Sequence, residues 1–63
     1  MRYNLWDSDK GVRVTNEPVD RETAQTLLIR AGFTPTASVE ILDKVDPESL
    51  AFETCGFIVE AVS

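Results

Sequence analysis

The side chains best suited to chemistry in this chain are its carboxylates, because eleven of its 63 residues are Asp or Glu and none is His. Without His, the chain offers no Ser–His–Asp or Cys–His arrangement for nucleophilic catalysis. Carboxylate pairs such as Asp43 and Asp46 can act as acid and base only in a cleft that excludes water. So short a chain seldom encloses one, and it has no glycine-rich phosphate loop. The sequence therefore predicts a protein that is not an enzyme.

Residues 7–11 superficially resemble the start of a calcium-binding loop. Such a loop needs Gly at its sixth position and a bidentate Glu at its twelfth, which here are Val12 and Pro18 when counted from Asp7. Cys55 is the only cysteine, so the chain cannot form an internal disulfide, and no His is present to join it in a zinc site. The sequence thus predicts no metal or cofactor, a structural Cys55, and a tight turn in which Asp side chains bind their own backbone.

The acidic residues are unevenly distributed. Residues 1–32 carry five acidic and five basic residues, whereas residues 33–63 carry six acidic residues against Lys44 alone, so the second half holds the whole net charge of −5. These six residues are Glu40, Asp43, Asp46, Glu48, Glu53 and Glu60. This pattern argues against direct binding of nucleic acid, whose phosphates require clustered Lys and Arg. It favours an acidic face that binds a basic partner.

Residues 19–33 give the clearest secondary-structure signal in the chain, that of a helix. Asp20 has the features of a helix N-cap, and Gly32 those of the residue that ends a helix. Between them, four apolar residues fall at helical spacing on one stripe: Ala24, Leu27, Leu28 and Ala31. Val19 can pack on Ala24 at the start of the helix, and Phe33 can fold back onto Leu28 at its end. The pattern predicts an amphipathic helix that packs on a sheet.

Two strands are predicted before this helix and one at the end of the chain. Residues 3–6 and 12–14 alternate as strands do, and the turn-forming residues 7–11 join them into a hairpin. Residues 57–62 form an apolar run typical of a strand. Trp6 lies on the opposite strand face from Tyr3 and Leu5. If these two face the helix, Trp6 faces outward and can anchor a protein partner. The alternatives are that Trp6 covers the far side of the sheet beside Arg13 or packs at an edge.

The segment after Gly32 allows two interpretations. Residues 39–45 are rich in β-branched side chains and predict a third strand, with Val39, Ile41 and Val45 on one side. The alternative is a second helix that has Pro35 at its first position and Thr34 as its cap. The first interpretation places Glu40 on a strand.

Residues 46–55 are also ambiguous. Asp46 and Pro47 can begin a helix that ends at Gly56. Equally, residues 46–49 can form a turn before a strand at 50–54, with residues 55 and 56 as a two-residue turn. In that arrangement Phe52 lies opposite Val59 and Leu50 opposite Ala61.

The strand arrangement also places Glu53 and Glu60 together on the outer face of the sheet. Carboxylates held several ångströms apart on a rigid surface can imitate a row of phosphates, which follow each other every ~3.4 Å along a DNA strand. A solvated, acidic sheet face is the alternative explanation.

Together these elements predict one small α+β domain spanning residues 1–63, with one amphipathic helix on an antiparallel sheet of three to four strands in a ββαββ-like order. A chain of this size buries only about 60% of its unfolded surface. Its thin core therefore also suggests a homodimer, in which the edge of residues 57–62 pairs with a second copy. No apolar run is long enough for a signal peptide or a membrane span, which predicts a cytoplasmic protein without membrane contact.

In size, acidity and lack of catalytic groups, the chain resembles small phage-encoded inhibitors of bacterial defence, including DNA-mimicking anti-CRISPR proteins. The resemblance covers the whole chain and rests on no sequence motif. It implies a non-enzymatic interaction module whose acidic face binds a larger basic protein and blocks its nucleic-acid channel. The alternative function is a self-associating structural or accessory subunit.

Overall fold

A computed structural model describes residues 2–45, 51–54 and 56–62. The described elements are β1 (Arg2–Asp7), β2 (Val12–Arg13), α1 (Arg21–Arg30), α2 (Pro35–Val45), β3 (Ala51–Thr54) and β4 (Phe57–Val62). The strands form one antiparallel sheet in the order β2-β1-β4-β3. The predicted α+β class is confirmed, with two helices rather than one between the two hairpins.

The turn between β1 and β2 is closed by Asp7, as the sequence predicts. One carboxylate oxygen of Asp7 accepts hydrogen bonds from the backbone N–H groups of Asp9 at 3.0 Å and Lys10 at 3.1 Å. The backbone N–H of Gly11 donates to the carbonyl of Asp7 at 2.8 Å. This local bonding directs the chain back alongside β1.

Both ends of α1 carry the predicted signals. A carboxylate oxygen of Asp20 accepts a hydrogen bond from the backbone N–H of Thr23 at 2.8 Å. At the other end Gly32 has a φ of 114°, and the N–H of Phe33 donates to the carbonyl of Leu28 at 3.1 Å. This is the bonding pattern with which a glycine ends a helix. Ala31, predicted to lie on the apolar stripe, is instead the exposed C-cap.

The predicted third strand at residues 39–45 is wrong, because this segment belongs to α2. The alternative interpretation is confirmed: Pro35 is the first helical residue, and the Thr34 hydroxyl accepts a hydrogen bond from the N–H of Ala37 at 3.1 Å. β-branched side chains favour strands only weakly, whereas a cap and a proline start a helix directly. The buried residues have helical spacing: Ser38, Ile41, Leu42 and Val45.

The last two strands form the predicted hairpin. Phe52 pairs with Val59 and Thr54 with Phe57, which leaves residues 55–56 as the connection. Gly56 has a φ of 83°, a backbone conformation that suits glycine in tight turns. A helix running to Gly56 is therefore wrong for residues 51–54. The predictions for Asp46, Glu48, Leu50 and Cys55 lie outside the described residues.

Strand β4 lies between β1 and β3 and pairs with both. Its two edges are occupied within one molecule, so the predicted pairing of the β4 edge with a second copy is wrong. The long-range pairing of β1 with β4 brings the beginning and the end of the chain together at the centre of the sheet.

Both helices pack on the same face of the sheet. Tyr3, Leu5, Val59 and Ala61 point into the core from the two central strands, and the helices contribute Ala24, Leu28, Ile41, Leu42 and Val45. Helix α1 lies against β1, and α2 lies against β3 and β4. Because successive strand residues point to opposite faces, the residues between these core positions face away from the helices.

The helix cap makes a testable prediction. The hydrogen bond from the Thr23 backbone holds the pKa of Asp20 below its ordinary value of 3.8. Because its pKa is lower in the folded chain, the ionised carboxylate of Asp20 stabilises the fold above pH 3.8. This stabilisation is lost as the pH falls through the pKa that Asp20 has in the folded chain. We expect Asp20→Ala to lower the melting temperature by a few degrees at neutral pH, and the difference from the parent to shrink in acid. Thermal unfolding followed by circular dichroism measures this.

Glu17→Ala is the matched control, since it removes the same charge close by and leaves the cap in place. A difference between parent and Asp20→Ala that stays constant across this pH range would contradict the assigned role of the carboxylate.

Candidate interaction surfaces

The face of the sheet turned away from both helices is called here the open face. Its members are the strand residues that alternate with the core positions: Arg2, Asn4, Trp6, Arg13, Ala51, Glu53, Ile58, Glu60 and Val62. Among the described residues, no helix covers this face.

A polar network crosses three strands of the open face. The Arg13 guanidinium donates a hydrogen bond to the side-chain oxygen of Asn4, and the Asn4 amide nitrogen donates to a carboxylate oxygen of Glu60 at 3.2 Å. Asn4 is only 8% exposed, so both ends of its amide group are satisfied where water has little access. The network holds β2, β1 and β4 in one arrangement.

Trp6 lies on the open face, as expected from the burial of Tyr3 and Leu5 on the other side. Its side chain remains 36% exposed. The guanidinium carbon of Arg13 lies 5.7 Å from the centre of the Trp6 ring, within the range of a cation–π contact. The structure thus places Trp6 beside Arg13, one of the arrangements that the sequence allows. Its role as an anchor for a partner stays a prediction.

The strand register aligns four residues directly across the sheet. Trp6 pairs with Arg13 on one side and with Ile58 on the other, and Ile58 pairs with Glu53. This central row, Arg13–Trp6–Ile58–Glu53, runs from a cation at one edge through two apolar residues to an anion at the other edge. Arg2 lies on the same half as Arg13, and Glu60 on the same half as Glu53. The open face therefore has two positive and two negative residues and no net charge.

The second surface is the solvent side of α1 and α2, called here the helical surface. A groove of about 340 Å³ runs between the two helices and is lined by Gln25, Pro35, Thr36, Val39 and Glu40. Val39, predicted to be part of a strand, is partly exposed in this groove, and Glu40 is exposed beside it. Sequence reasoning missed the groove because it assigned residues 39–45 to the sheet.

Four of the six predicted acidic residues lie among the described residues, and the structure divides these four between the two surfaces. Glu40 and Asp43 lie on the helical surface, whereas Glu53 and Glu60 lie on the open face. Asp43 forms an ion pair with Arg21 of α1, and both side chains are substantially exposed. Such a pair contributes little stability, but it reduces the charge that Asp43 presents to a partner.

Most of the net charge belongs to the segment that contains the helices. Residues 17–48 hold seven acidic residues and three basic ones, a net −4 out of the −5 of the whole chain. Asp46 and Glu48 follow directly after α2 in the sequence. Within α1 and α2 themselves three acidic residues balance three basic ones, so the excess comes from residues that flank the two helices in the sequence.

No protein-family model, no curated protein and no solved structure matches this chain. Within the part of the chain that the structure describes, neither helix has the length and apolar character needed to span a membrane. The function is therefore inferred from the two surfaces.

The contact between Arg13 and Trp6 predicts a change in fluorescence. Trp6 is the only tryptophan, so its emission reports on this site alone. We expect Arg13→Ala to shift the emission maximum to longer wavelength, because the guanidinium shields the ring from water. Lys10→Ala removes the same charge from the nearby turn and is expected to leave the maximum unchanged. Equal spectra for the parent and Arg13→Ala would show that the contact does not persist in solution.

Proposed function

We propose that this chain is a non-enzymatic protein-interaction module that binds a larger basic protein through its helical surface. The single observation that carries the proposal is the groove between α1 and α2, in which the exposed Glu40 lies beside the apolar Pro35 and Val39. A groove with an exposed carboxylate at its rim can position a basic partner, whereas net charge alone only attracts one.

The groove suits a long basic side chain. Pro35 and Val39 offer apolar contact to the aliphatic stem of a Lys or Arg residue, and Glu40 lies where the charged end would emerge. An ionised carboxylate paired with a guanidinium or ammonium forms a stronger hydrogen bond than two neutral groups do. Gln25 adds an amide that can donate or accept at the same place.

The charge of the whole chain supports fast association with a basic surface. A net charge of −5 on 63 residues produces a field that accelerates the encounter with a positive partner. At physiological ionic strength this field is screened beyond about 8 Å, so binding weakens as salt rises. A protein with a basic nucleic-acid channel is a partner of this chemistry, in keeping with the resemblance to DNA-mimicking inhibitors.

Two variants with the same change in charge test which surface binds. The chain is immobilised and basic proteins are captured from a lysate at about 0.05 M and about 0.5 M salt. We expect Glu40→Gln to reduce the captured amount by up to about five-fold, the range of a single exposed ion pair. Glu53→Gln, on the open face, is expected to reduce it much less.

An unrelated protein of similar basic charge measures non-specific attraction and is expected to bind all variants alike. Capture that ignores salt, or that falls more with Glu53→Gln than with Glu40→Gln, would count against the helical surface as the binding site.

A further inference from the structure

We infer that the open face of the sheet binds a second copy of this chain, forming a two-fold symmetric dimer with the sheets face to face and the helices outside. This inference does not depend on the proposed function, because the helical surface remains exposed in such a dimer. It replaces the predicted edge pairing of β4 with a contact through the face.

The strand order makes the open face suitable for this symmetry. In the order β2-β1-β4-β3, a two-fold axis parallel to the strands can pass between the two central strands. Rotation about this axis places β1 of one copy over β4 of the other, and β2 over β3. Rotation about this axis does not shift residues along the strands. Residues of one cross-strand row therefore meet residues of the same row in the second copy.

The central row is complementary to itself under this rotation. Arg13 of one copy meets Glu53 of the other, and Trp6 of one copy meets Ile58 of the other; the reverse pairs follow by symmetry. The apolar pairs lie next to the axis and the ion pairs at the rim. Buried aromatic anchors surrounded by a polar rim are typical of protein interfaces.

One neighbouring row opposes this arrangement and the other agrees with it. Asn4 already donates to Glu60 of its own chain, so the second copy brings another Glu60 carboxylate close to the first, which weakens the dimer. Arg2 pairs with Val62, so the aliphatic stem of each Arg2 meets Val62 of the other copy. A two-fold axis perpendicular to the strands would instead place β1 and β2 of one copy over β1 and β2 of the other. The half of the face that carries Arg2 and Arg13 would then face the same positive half of the second copy. The charges thus select one axis.

The charge pattern of the open face favours a second copy over an unlike partner. The open face has no net charge, so it gains nothing from a partner of either overall sign, but its two halves have opposite charge.

Sheets that pack face to face cross at about 30° because of their twist, so the ends of the central row in one copy are displaced from those in the other. Arg13 and Glu53 occupy these ends, and their long side chains can span the displacement.

The area of the face predicts a weak dimer. Strands spaced about 4.8 Å apart, the longest with six residues, give a flat area of roughly 300–400 Å² per copy. Standard-size complexes bury about 800 Å² per partner. We therefore expect a dissociation constant in the micromolar range or above, observable only in concentrated solution.

Sedimentation equilibrium from about 10 μM to about 1 mM tests the dimer, with two charge variants and their mixture. Arg13→Glu and Glu53→Arg each place like charges against each other, and each is expected to raise the dissociation constant at least about ten-fold. An equimolar mixture of the two variants restores both ion pairs and is expected to associate again. Lys10→Glu and Glu40→Arg, which change the net charge equally but lie off the open face, are expected to associate like the parent.

A second measurement needs no variant. Dimer formation covers Trp6, so its emission maximum is expected to move to shorter wavelength as the concentration of the parent rises. A parent that sediments as a monomer throughout, or a folded mixture that fails to associate, would overturn the inference. So would Arg13→Glu associating like the parent. Since no other protein is present, these outcomes are independent of partner capture.

Discussion

Both helices pack on one face of a four-stranded sheet, and the other properties of the molecule depend on this asymmetry. The two central strands supply Tyr3, Leu5, Val59 and Ala61 to the core, so their alternate residues must face the opposite way. Those alternate residues include Trp6 and Ile58, which no described element covers. A chain of this size has too little apolar material to cover both faces of a sheet.

The polar network of the open face follows from the same constraint. Asn4 lies between two core residues of β1 and is nearly buried, although it points away from the core. A buried amide without partners would be costly, and Arg13 and Glu60 satisfy both of its ends. This bonding fixes the side chains of β2 and β4 relative to β1. It therefore orders the surface on which Trp6 lies.

The two surfaces have different electrostatic character. The helical surface has a groove with the exposed Glu40 in its lining, whereas the open face sets two Arg residues on one half against two Glu residues on the other. A surface with halves of opposite charge suits a copy of itself, and a groove lined by an exposed carboxylate suits a basic side chain. The two proposed uses involve different surfaces and therefore do not conflict.

Local signals are enough to predict the Asp7 turn, the Asp20 cap, the glycine stop at Gly32 and the terminal strand, because each depends on a few neighbouring residues. The sequence predicts a strand at residues 39–45 because Val39, Ile41 and Val45 alternate as strand residues do, but the Thr34 cap and Pro35 start a helix there. The strand order, and with it the central row, follows from long-range pairing, and the packing of α2 on the sheet separates Glu40 from Glu60. Register between β1 and β4 joins residues far apart in the chain, and no local pattern encodes which of them meet.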